Sequence, residues 1–359
     1  MKEELKAVVE RAGFKYDVKA LGELIGQFFA ESSKNGKLID FSNKLISEHV
    51  SFLRNAEKIG LPPAERWRAK LQYNPKRIDK EERDRLVKRF SLATGINRIY
   101  LVRMTKGNYC FLIELWNKPL AERFTLLSWS ILNLMAEKEL KGELRTLAEH
   151  FFAKLLAGDG YTKLSLAGRA STEKRRRIRL RVNIGEGNPE LRKLYKKIIE
   201  KLGIRSRIYD KSSIIVLNTN WKTLLKLYRM QAFKGHPRNR ARLIYALLEH
   251  PKTKYLYKRL RLARNKPLCS EDLVKPLKND KRRRNKLWVA LRWLKAVSRE
   301  GYLTERGKRG RYILFELTGK GRRLLETIEQ AIRELNKSGG IKGELSLSST
   351  YMRNNNDRE

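Results

Sequence analysis

Apolar residues recur at helical spacing in two segments that end alike. Residues 24–32 read LIGQFFAES and residues 152–160 read FAKLLAGDG; the first run closes on Glu31, the second on Asp159. With these acids aligned, further landmarks follow in one order. EKIGL at 57–61 and EKLGI at 200–204 each close an amphipathic helix with a Gly just past its end. Arg98-Ile99-Tyr100 and Arg207-Ile208-Tyr209 each enter a strand-like stretch, YCFLIEL at 109–115 and SIIVL at 213–217. Trp116 and Trp221 come next, each before another helix. The pattern predicts two divergent copies of helix, strands, helix, strands, helix, with residues 62–97 inserted in the first.

One strand keeps strict period two. In RIRLRV at 177–182, Arg177, Arg179 and Arg181 take one face and the aliphatics the other. Alternate strand positions lie about 7 Å apart, near the spacing of successive phosphates. After Gly235-His236-Pro237 the pattern becomes mostly helical. Ser270-Glu271-Asp272 reads as the N-cap and early acids of a short helix. A long helix over 281–300 follows, burying Leu287, Trp288, Leu291 and Leu294, and Gly301 ends it. Residues 302–304 and 311–317 pair as a ribbon with its tip at 305–310, a last helix starts near Thr318, and the polar tail past Asn336 reads as disordered.

A chain of 359 residues suits two or three domains. Lys and Arg total 81 against 39 acids, a formal charge of +42, which points to a polyanionic partner, nucleic acid before an anionic membrane surface. No apolar run approaches the ~20 residues of a membrane span, and the start reads as an amphipathic helix rather than a signal peptide. Cys110 and Cys269 read as reduced thiols of a cytoplasmic protein. None of the four His stands at zinc-ligand spacing with a Cys, which argues against zinc fingers.

The two acid-terminated helices resemble the signature of LAGLIDADG homing endonucleases. The second matches at Ala153, Leu155, Asp159 and Gly160, the first at Leu24, Gly26 and Ala30 with Glu31 in the acid position. The resemblance implies an α+β fold, a duplicated αββαββα saddle formed by residues 1–130 and 131–235, monomeric with internal pseudo-twofold symmetry. It also implies a sequence-specific endonuclease that cuts double-stranded DNA across the minor groove with Mg²⁺ or Mn²⁺, Glu31 and Asp159 being its metal ligands and catalytic acids. The physics agrees. Small residues such as Gly26, Ala30, Ala157 and Gly158 permit close helix approach, and two adjacent carboxylates repel until a divalent cation relieves them. Lys34 and Lys163 are the nearest catalytic lysine candidates along the chain.

Ser32 stands where the signature has its final Gly, and Lys154 where it packs a small residue. These departures keep open a non-cleaving DNA-binding regulator, or a maturase that binds intron RNA. Residues 270–328 resemble a winged helix-turn-helix. That resemblance implies a DNA-binding domain over 236–335, with Arg282, Arg283, Arg284 and Lys286 on the helix that enters the groove and Arg306, Lys308 and Arg309 in the wing.

Overall fold

The computed structural model describes residues 2–34, 36–167, 177–274 and 280–337; the side chains of 166, 167, 177 and 280–284 are also outside the description. The expected disordered tail therefore lies almost wholly beyond the described residues. The chain divides into two compact units: 1–163 with 180–240, and 164–179 with 241–359.

The first unit opens with α1 (Lys2–Arg11) and α2 (Val18–Glu31). Asp17 starts α2 by accepting the Ala20 amide at 2.8 Å. Then come β1 (Ile39–Asn43), α3 (Ile46–Lys58), β2 (Arg68–Tyr73), α4 (Lys80–Thr94), β3 (Ile99–Arg103), β4 (Tyr109–Leu115) and α5 (Lys118–Glu137). Helix α6 (Gly142–Gly158) leads to β5 (Gly160–Ala167) and β6 (Arg177–Gly185), whose residues 164–167 and 177–179 group with the second unit, then α7 (Pro189–Lys201), β7 (Ser206–Tyr209), β8 (Ile214–Leu217) and α8 (Trp221–Arg229). Two four-stranded sheets result, in the orders β1-β4-β2-β3 and β5-β6-β8-β7.

The paired EKIGL and EKLGI segments do end helices. Gly60 (φ 89°) and Gly203 (φ 73°) take the left-handed conformation past α3 and α7. The next amides, Leu61 and Ile204, reach back to Ala56 and Ile199 carbonyls at 2.9 and 3.1 Å, the bond that caps such an ending.

The two halves match in sheet position less simply than the sequence suggests. The second half runs helix, two strands, helix, two strands, helix. In the first, a single strand, β1, links α2 to α3, because only residues 32–38 separate α2 from β1. The counterpart of β7 is β2, since each follows the EKIGL-type ending and pairs antiparallel with the strand before the Trp. Strand β3, which carries Arg98-Ile99-Tyr100 into the sheet, instead pairs parallel to β2 at the sheet edge. The short motif aligned with a chance match: a parallel partner needs a helical crossover, and α4 supplies it. The insertion is therefore α4 with β3, and β2 belongs to the shared core.

The second unit holds most of α9 (Pro237–Glu249), then α10 (Pro251–Leu262), a single 3₁₀ turn (Glu271–Leu273), α11 (Asp280–Arg299), β9 (Leu303–Arg309), β10 (Tyr312–Leu317) and α12 (Gly319–Lys337). Leu256, Leu260, Leu294, Val297, Phe315, Leu324 and Ile328 are buried there. Leu268 bridges Phe315 antiparallel. Three expectations change. Ser270 is helical and caps nothing; Asp272 instead accepts the Cys269 amide at 2.7 Å. Trp288 is 61% exposed, since Leu294 and Val297, six and nine residues past it and so on another face of the helix, turn to the core; Leu287 and Leu291 are only half-buried. The ribbon's tip is shorter than expected: β9 continues to Arg309, a register shift opposite Leu314/Phe315 absorbs the odd residue, and Gly310 (φ 59°) with Arg311 makes the turn.

Candidate functional site: two helix-terminal carboxylates

Helix α2 lies close along α6 because at each point of closest approach one of the two helices has a glycine. A Cβ on Gly22 would stand 2.6 Å from the Leu147 carbonyl oxygen, and one on Gly26 would run into the Phe151 carbonyl. Near the C-terminal ends the roles reverse, and a Cβ on Gly158 would collide with Ala30 and stand 3.2 Å from Glu31 Oε1. Gly22, Gly26 and Ala30 are four residues apart, so they form one stripe. Gly22 belongs to this contact and was absent from the small residues expected there.

The two ends converge, and Glu31 comes near enough for its charge to act on Asp159. Burial, then the charge of Glu48, raises Glu31 from 4.5 to about 7, with Lys34 opposing. Burial and then Glu31 itself raise Asp159 from 3.8 to about 8; Lys34 again opposes, and Glu186 adds to the rise. Lys34 thus acts on both acids, from a left-handed backbone (φ 55°) in the loop that Asp40 holds through the Ser33 amide at 2.8 Å. Lys163 stands exposed on β5, with no ion pair to either acid among the described residues.

Both departures from the signature have a local explanation. Ser32 is extended (φ −116°, ψ 159°), a conformation open to any residue, and its hydroxyl donates to the Asp40 carbonyl. Gly160 differs: a Cβ there would come 2.9 Å from Leu156 Cα and closer still to its carbonyl oxygen. Lys154 does not wedge the helices apart. Gly26 makes room for its stem, and its ammonium pairs with Glu48 at 2.8 Å and donates to Ser51 Oγ at 3.1 Å. Glu48 also accepts from Gln27 at 3.1 Å. It explains Gly235 as well, where any Cβ would strike the Glu48 carboxylate.

Sequence reasoning missed the residues around the acids. Asn43 donates to Glu31 Oε1 at 3.4 Å. On the other side, the Gly185 amide donates to the Asp159 carbonyl at 3.1 Å, which places the next residue, Glu186, beside that acid. The EKIGL–EKLGI register, extended backwards, would have paired them: it sets Asn43 against Glu186, Glu48 against Leu191, His49 against Arg192 and Phe52 against Tyr195. Both sides have a contact between these positions. His49 contacts the Asn43 carbonyl at 3.0 Å, and Arg192 donates to the Glu186 carbonyl at 2.7 Å.

The basic residues divide. Along β6 the period-two reading holds: Arg179 and Arg181 are exposed, Leu180 and Val182 buried; the Arg177 side chain lies outside the described residues. Arg181 stands four residues, about 13 Å, from the strand end beside Asp159. On α11, Lys286 is exposed, and Arg282, Arg283 and Arg284 have side chains outside the description. On β9, Lys308 is exposed, Arg306 pairs with Glu316 at 2.8 Å and Arg309 with Asp272 at 3.0 Å.

The donor set suits a hard cation. Both carboxylates offer oxygen, and no group of three or more His, Cys, Asp or Glu that could cage a metal occurs among the described residues. A cation held by two carboxylates and completed by water or phosphate oxygens is of the Mg²⁺ kind rather than the zinc kind. Cys110 and Cys269 are free thiols, and no described helix is long and apolar enough to cross a membrane.

No family model matches the chain, and no curated protein matches it. Among solved structures it is similar to the meganuclease I-SmaMI bound to uncleaveable DNA with a TTGT central four, at 14% identity over 69% of this chain and 96% of that one, with a TM-score of 0.33. It is also similar to I-SmaMI bound to an uncleaved DNA target in the presence of calcium ions (14% identity, 70% and 100% covered, TM-score 0.32). A third is the I-SmaMI LAGLIDADG homing endonuclease bound to cleaved DNA (13%, 70% and 97%, TM-score 0.30).

Proposed function

We propose that this chain is a metal-dependent DNA endonuclease of the LAGLIDADG homing type, with residues 236–335 as an added DNA-binding winged helix. The observation that supports the reading is that α2 and α6 converge at their C-terminal ends with Glu31 and Asp159 half-buried there, each raised in pKa by burial and by a neighbouring carboxylate. Glu31 and Asp159 would hold the ion. When bound, Mg²⁺ or Mn²⁺ offsets the carboxylate repulsion, lowers the pKa of water and stabilises charge on a departing oxygen. Lys34, which already acts on both acids, contributes positive charge toward a phosphate at that point. The exposed arginines of β6 supply backbone contacts, and Lys286 and Lys308 supply others in the second unit. With one acid from each half, the target need not be palindromic.

The test is direct. Purified protein, a plasmid library and Mg²⁺ should give discrete double-strand cuts that Asp159→Asn and Glu31→Gln each abolish. Tight, sequence-specific binding with no cutting under any divalent ion would overturn the enzyme reading in favour of a DNA-binding regulator. Preference for structured intron RNA would favour a maturase.

A further inference from the structure

The two halves surround their acids differently. On the first side, Asn43 donates to Glu31, and the facing helix position holds Phe52, fully buried. On the second side, the same two register positions hold Glu186 and Tyr195. Glu186 is fixed at both ends of its peptide: its amide donates to the Ser213 carbonyl at 3.0 Å, and its carbonyl accepts from Arg192, itself 4% exposed. One carboxylate oxygen accepts the Asn188 amide at 2.8 Å. Tyr195 is 0% exposed, and its hydroxyl has no hydrogen-bond partner. Glu186 and Asp159 both act on that hydroxyl electrostatically, and Glu186 also stands within looser hydrogen-bonding reach of it. A buried hydroxyl beside two carboxylates is costly unless it donates, so its natural role here is to donate toward that acidic pair.

We propose that Glu186 and Tyr195 make the Asp159 side the stronger cation position, Glu186 acting through cation-bound water as a positioning residue and Tyr195 donating into the same water layer. This rests on the reading of Glu31 and Asp159 as metal ligands. The first side lacks the device, since Asn43 brings no charge and Phe52 no hydroxyl. The two halves would then load a divalent cation unequally, and the two strands of a target would be cut at unequal rates.

Mn²⁺ binding to the full chain, followed by electron paramagnetic resonance of free Mn²⁺ without DNA, tests this. The wild type should show a tight and a weak class. Asp159→Asn should remove the tight class. Glu186→Asn, which copies the first half, should weaken the tight class by about 10–100-fold, as losing a partner behind the direct ligands does. Glu186→Asp should restore part of that loss, and Tyr195→Phe should weaken the same class with unchanged circular dichroism. If Asp159→Asn removes tight binding while Glu186→Asn and Tyr195→Phe leave it intact, the inference fails and the metal reading stands. If Asp159→Asn changes nothing, the metal reading itself fails.

Discussion

Replacing Asp159 with Asn should stabilise the metal-free protein in alkaline solution. Burial and the Glu31 charge hold the Asp159 carboxyl at about 8, against 3.8 for an exposed one. Each pKa unit corresponds to about 1.4 kcal/mol, so the whole shift would be worth about 6 kcal/mol. Part of it is shared with Glu31, because either acid can take up the proton that relieves both. Solvent at the partly open site removes more, leaving about 2–3 kcal/mol for Asp159 alone. The sign follows from the direction. A carboxyl raised in the folded state keeps its full contribution below the unfolded value near 4 and loses it as the pH climbs through about 8. At pH 9 in chelator the wild type therefore carries the cost and Asp159→Asn does not. Differential scanning calorimetry should show the variant melting roughly 4–12 °C higher, at ~2–4 °C per kcal/mol for a unit of this size. The gap should narrow steadily toward pH 4. Adding Mg²⁺ should raise the wild type and barely move the variant. Equal melting at pH 9 in chelator, or a gap that widens on acidification, would refute the buried-acid account.

Lys154→Met leaves the Glu48 carboxylate buried without its ion pair and should cost about 3–5 kcal/mol in urea unfolding. Adding Glu48→Leu should recover most of that, since Leu191 occupies the matching place in the other half. Gly26→Ala drives a methyl into the Phe151 carbonyl and should cost about 1–3 kcal/mol or more. Gly319→Ala, with nothing near its absent Cβ, should stay within about 0.5 kcal/mol by the same measurement. Arg181→Ala should weaken DNA binding evenly across sequences. A filter-binding salt titration should show its slope shallower by about 0.9, and an unchanged slope would remove Arg181 from the phosphate contacts.

The chain's local signals were legible because they depend on neighbours in sequence. The apolar period marks α2 and α6, glycines in a left-handed conformation end α3 and α7, and strict alternation sorts Arg179 and Arg181 of β6 outward. The acids ending the two helices belong to the same class, since a helix terminus is set within a few residues. Convergence was not legible. Nothing near residue 31 in sequence says that Asn43 will donate to it, or that Lys154 will thread past Gly26 to find Glu48. Strand order was also beyond it: Arg98-Ile99-Tyr100 resembles Arg207-Ile208-Tyr209, yet only sheet pairing shows that β2, not β3, is the true counterpart of β7. Tertiary packing decided these points because burial, charge coupling and hydrogen bonds act through space. Side chains more than a hundred residues apart can perturb one carboxyl more strongly than those beside it in the chain.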